Sequence, residues 1–154
     1  MIYWWVSVAA FVVLACPPGF AQSGAAGLDI RGGWQAELYT LKTGERHVVK
    51  GLIVFTATEW SVTFFVTPDG QAPQRASAEG GTYTLDGTKL VLTHLYNFSN
   101  GGALPGLPAN PMRMTVQGST APPLEPVTVS VDVERLMLAF PSGNTMSFRR
   151  SSRF

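Results

Sequence analysis

Cysteine and histidine are both scarce in this chain: one Cys and two His stand among 154 residues. The single cysteine, Cys16, lies in an apolar head, so the body after it can form no disulfide of its own. His47 and His94 fall on different segments, with no carboxylate or second histidine at metal-ligand spacing, which leaves a zinc site without a signature. Charge of one sign is lacking too: 11 basic residues meet 10 acidic ones with no run of either, so no basic face for nucleic acid is built. No serine sits in a Gly-x-Ser-x-Gly elbow, and the body has no cysteine nucleophile, so both common acyl-transfer routes lack their residues. Gly101-Gly102 does not open a helix and is no phosphate cradle. The sequence calls for no cofactor and no metal.

Charged side chains are also missing from the first stretch, from Met1 to Leu28. The run from Met1 to Cys16 holds about 15 apolar residues, which suits the core of an export signal better than the roughly 20 needed to cross a bilayer. Small residues at Gly19 and Ala21 suit cleavage after Ala21, giving a signal peptide over 1–21, a linker over 22–30 and a domain over 31–151. The n-region has no Lys or Arg, which departs from the usual signal pattern. Two other outcomes stay open: Val13-Leu14-Ala15-Cys16 read as a lipoprotein box with Cys16 lipidated, and a head that is retained. The expected location is periplasmic or secreted, alternatively anchored to a membrane through a lipid on Cys16.

What the body does contain is period-two alternation. Trp34, Ala36 and Leu38 alternate with polar neighbours, as do Trp60, Val62, Phe64 and Val66, and again Val127, Val129, Val131 and Val133. Gly51 marks a bend or bulge within a second strand. Residues 69–80 read as a loop with a helical turn over 74–79, and 98–111 and 119–126 read as loops. Asp86-Gly87 between two alternating runs gives the clearest hairpin, with positive φ at its turn. Roughly 130 residues suffice for one domain without staples. Eight to ten short strands without long helices predict an all-β fold, a single antiparallel up-and-down barrel, since closure removes exposed edges. A two-sheet sandwich would satisfy the same alternation.

Several segments resemble the bacterial lipocalin-like domain family, a calycin-type barrel. Gly32-Gly33-Trp34 is similar to the Gly-x-Trp signature, and the segments from Gly51 to Thr56, Gly81 to Gly87, Leu92 to His94 and Leu136 to Arg150 look like its successive blocks. The resemblance implies a barrel with an internal pocket and no established catalytic residues. It also implies that Trp34 packs at the closed end beneath an arginine of the last strand. Parity selects Arg150, which shares a face with Met146 and Phe148, for a cation-π stack worth on the order of 1 kcal/mol.

The pocket reading places Trp34, Leu38, Trp60, Val62, Phe64, Tyr83, Leu92 and His94 around a small apolar or amphipathic ligand. His94 shares parity with Leu90, Leu92 and Tyr96, so that His94, Tyr96 and Tyr83 would form the polar end, with Tyr83 a hydrogen-bond partner for the imidazole. Met112, Met114, Met137 and Met146 supply either adaptable pocket wall or core filling. Two alternatives remain: an isomerase, cyclase or hydratase using His94 or Tyr83 as acid or base, and an inhibitor-like barrel that engages a protein through its loops. The assembly expected is a monomer or homodimer.

Overall fold

The computed structural model describes residues 28–118 and 120–152. The signal peptide, Cys16 and most of the linker expected from the sequence lie outside the described residues. Ten strands follow in chain order: β1 (Gly32–Thr40), β2 (Arg46–Phe55), β3 (Glu59–Val66), β4 (Arg75–Asp86), β5 (Lys89–Thr93), β6 (Tyr96–Gly101), β7 (Asn110–Val116), β8 (Leu124–Val131), β9 (Arg135–Ala139) and β10 (Thr145–Arg150). No helix occurs among the described residues.

Eight of these strands close into an antiparallel barrel in the cyclic order β1, β2, β3, β4, β5, β8, β9, β10, with β10 returning to β1. Strands β6 and β7 form an additional hairpin. The cause is the length of β4, whose two halves have different partners on one side. Tyr83 to Asp86 pair with β5, whereas Arg75 to Gly80 pair with β6. β5 continues round the barrel through β8, and β6 leads out to β7, which ends the sheet. The wall therefore forks at His94-Leu95.

Several sequence expectations are corrected here. Residues 75–79 are strand, not a helical turn, because Ala76, Ala78 and Gly80 pair on both sides, and that pairing overrides a weak local pattern. The loop expected over 98–111 shrinks to 102–109, since Phe98 to Gly101 belong to β6 and Asn110-Pro111 open β7. Pro111 is tolerated there because β7 is an edge strand with an unpaired side. Likewise β8 begins at Leu124, within the loop expected over 119–126, and Pro126 sits where β8 pairs with β5 but not with β9. Val133 leaves the strand: the Asp132 side chain accepts the amides of Glu134 and Arg135 at 3.1 and 2.8 Å and turns the chain. At the hairpin between β4 and β5 the central pair is Gly87-Thr88, and Gly87 alone has positive φ, at 57°, which is the first position of a type II′ turn.

The closed end is built around Trp34, which has no solvent exposure. Its Nε1 donates to the Ile30 carbonyl at 2.8 Å, and the Arg150 guanidinium carbon lies 3.9 Å from its ring centroid. Ile30, drawn into the linker by sequence, is buried in this core and belongs to the folded unit. Arg150 also donates to the Arg31 carbonyl at 3.2 Å. Phe55, Phe148, Leu90 and Leu136 complete the packing, with Tyr83 meeting the Phe55 ring edge-on at 5.3 Å.

Candidate ligand-binding cavity

Above the Trp34 layer the barrel is hollow. A cavity of about 460 Å³ is walled by Ile53, Val62, Leu92, Leu138, Met146 and Phe148, with the aromatic rings of Tyr39, Trp60, Phe64 and Phe140. One flank is polar: Glu79, His94 and Glu125 face the cavity beside Pro123 and Leu124. This flank coincides with the fork, where β5 gives way to β6 and the chain returns to β8.

Of the residues chosen from sequence, Trp60, Val62, Phe64, Leu92 and His94 lie around this cavity, and Trp34, Leu38 and Tyr83 do not. Trp34 is the floor beneath it. Leu38 is displaced by a β-bulge: Ala36 pairs with Phe148 but Leu38 pairs with Ser147, so Glu37 is the extra residue. One inserted residue reverses the faces of everything after it, and Tyr39, opposite inward Met146, takes the lining position. Tyr83 donates its hydroxyl to the Thr56 carbonyl at 2.7 Å at the closed end and does not reach His94. Tyr96 is not at the polar end either. The break at His94-Leu95 turns it outward, where its hydroxyl donates to Ser61 Oγ at 3.0 Å. Met146 lines the cavity, whereas Met112, Met114 and Met137 are exposed.

His94 is held by two glutamates. Its Nδ1 lies 3.1 Å from Glu79 and its Nε2 lies 3.3 Å from Glu125, while Trp60 meets the ring edge-on at 5.2 Å. Both glutamates escaped the sequence reading because each lies far from His94 along the chain. Glu125 nevertheless carried a signal, for it extends the inward parity of Val127 and Val129 by one step. The two nitrogens point apart, so the three groups do not converge on one point. No cluster able to hold a metal ion occurs among the described residues. Bonds to Glu125 and Glu79 outweigh burial and raise the His94 pKa to about 9. Burial pushes Glu79 up, yet hydrogen bonds from His94 and from Ser77 Oγ, at 2.8 Å, more than offset it and hold the carboxyl below its ordinary value.

This clasp makes stability depend on pH. Because the folded-state His94 pKa exceeds the unfolded one, its contribution is complete below about pH 6.5 and is lost as pH rises through about 9. Its size is on the order of 2 kcal/mol, given partly solvated carboxylates. Glu79 acts at the other end: its contribution is present above the ordinary glutamate pKa and fades as pH falls through the lowered value. Thermal midpoints are expected to fall between about pH 6.5 and 9.5, and His94→Gln should remove most of that slope. A wild-type midpoint that stays flat over this range would refute the clasp.

The second histidine is structural. The His47 Nε2 donates to the Pro105 carbonyl at 2.9 Å, and Arg75 donates to the Gly102 and Pro108 carbonyls at 2.7 and 2.6 Å. These bonds tie the 102–109 loop across the end of the barrel opposite Trp34.

No family model matches the chain, and no curated protein matches it. Among solved structures it is similar to a lipocalin-like protein from Bacteroides uniformis, with 16% identity and a TM-score of 0.50 over 79% of this chain and 98% of that one. A second, an uncharacterized protein from Bacteroides eggerthii, aligns with 13% identity and a TM-score of 0.47 over 80% of this chain and 100% of that one. The first likeness, with the eight-stranded closure described above, defines a lipocalin-like barrel fold.

Proposed function

We propose that this protein is an exported barrel that holds one small apolar or amphipathic molecule and performs no catalysis. The observation that carries the reading is the cavity of about 460 Å³, whose apolar and aromatic walls converge on a single polar flank. Sites of this size and lining bind by apolar burial, with a few polar groups fixing orientation. The uncharged head from Met1 to Leu28 supports export.

His94 bears on the enzymatic alternative. With both ring nitrogens against carboxylates and a raised pKa, it offers no free lone pair to take a proton from a substrate. The loop-capture alternative relied on 69–80, 98–111 and 119–126, parts of which are ladder-bonded strand.

Native mass spectrometry of the protein recovered from its own host tests the proposal. The expected species has lost the head after Ala21 and carries, or takes up, a lipophilic small molecule. Val62→Phe, which adds a ring inside the cavity, should weaken uptake at least about tenfold while far-ultraviolet dichroism is unchanged. Undiminished uptake in that variant would place the ligand elsewhere.

A further inference from the structure

We infer that the cavity selects ligands whose polar end is a cation, an alkylammonium or arylammonium group, over carboxylates of the same shape. The inference rests on the binding role proposed above and deepens it by specifying the head group.

The protons on His94 set the charge of the flank. A ring nitrogen can approach a carboxylate oxygen at 3.1 or 3.3 Å only by donating, and both nitrogens do so. The ring therefore carries two N–H groups and one positive charge. It faces two carboxylates, so Glu79, His94 and Glu125 together hold one net negative charge on the cavity flank. The lining contains no Lys or Arg to balance it. Of the basic side chains nearby, Arg75 is tied to the carbonyls of the 102–109 loop.

The free acceptor is equally specific. Glu79 is spent: one oxygen meets His94, and the other takes the Ser77 hydroxyl. Glu125 is not. One of its oxygens faces His94, and the other has no hydrogen-bond partner among the described residues. Its side chain keeps 34% of its exposure and lines the cavity. A donor bearing positive charge would complete that carboxylate and neutralise the flank. A carboxylate would find both His94 protons already taken and would add a second negative charge at close range. The aromatic rings of Tyr39, Trp60 and Phe64 in the wall would add attraction for a cation lying over them.

A matched series tests this: decylamine, decanol and decanoate, each displacing a neutral fluorescent naphthylamine probe near neutral pH. The amine should bind about tenfold more tightly than the alcohol, and the alcohol more tightly than the carboxylate. Glu125→Gln should erase the roughly tenfold advantage of the amine over decanol. In the wild-type protein, added salt should weaken the amine and spare the alcohol, a readout that needs no variant. The head-group preference is overturned if decanoate matches or exceeds the amine, if the amine advantage survives Glu125→Gln, or if the probe binds but none of the three displaces it. If neither the probe nor any of the three is taken up, the binding role itself fails along with the preference.

Discussion

Trp34→Ala is expected to cost on the order of 4 kcal/mol and to lower the thermal midpoint by about 15 °C. Three losses combine. The largest is volume, for Trp34 is fully buried among Ile30, Phe55 and Phe148, and its removal leaves a hole that a closed barrel end cannot collapse to fill. Next, the Ile30 carbonyl loses the indole N–H that it accepts at 2.8 Å, deep in a place water does not reach. Finally, the Arg150 guanidinium loses the ring face it covers at 3.9 Å. Arg150→Ala removes only the last of these and should cost about 1 kcal/mol. Urea denaturation of the two variants separates the contributions, and a loss below about 1 kcal/mol for Trp34→Ala would show that this end is not the keystone of the fold.

The second large effect falls on Gly51. Its φ of 154° lies outside the range side chains favour, and a Cβ there would collide with the Thr63 carbonyl and the Phe64 Cα on the neighbouring strand. These are backbone atoms locked in the β2 to β3 ladder, so nothing nearby can move aside cheaply. Gly51→Ala should cost about 3 kcal/mol or more. Gly44→Ala is the control, for it has a φ of 103° with nothing within 4 Å of a new Cβ. It carries conformational strain without collision, and about 1 kcal/mol is expected. Equal losses at the two sites would mean that φ alone explains Gly51 and that the close approach to β3 is irrelevant.

The barrel was legible in the sequence because its signals are local. Val127 and Val129 alternate with polar residues on one strand, Gly87 marks its own turn, and the parity of Met146, Phe148 and Arg150 brings the arginine to Trp34. What failed depended on partners far along the chain. No local pattern distinguishes Glu37 as an inserted residue, yet it exchanges Leu38 for Tyr39 in the cavity wall. Ala76, Ala78 and Gly80 have weak strand preference alone, and only pairing with both β3 and β6 makes them extended. The polar flank was the hardest part to see. His94 stood out as an imidazole on an apolar face, but its two carboxylates come from β4 and β8, strands joined to it only by folding.

The division of the wall at His94-Leu95 has a topological outcome for traffic. Pro123, Leu124 and Glu125 border the interior beside the fork: Leu124 and Glu125 pair with Thr93 and Leu92 at the end of β5, the Pro123 carbonyl accepts the His94 amide, and the far end is strapped by the 102–109 loop. The polar flank of the cavity thus lies where one sheet divides into two branches. A guest entering between those branches would leave the β4–β5 and β5–β8 ladders of the barrel intact.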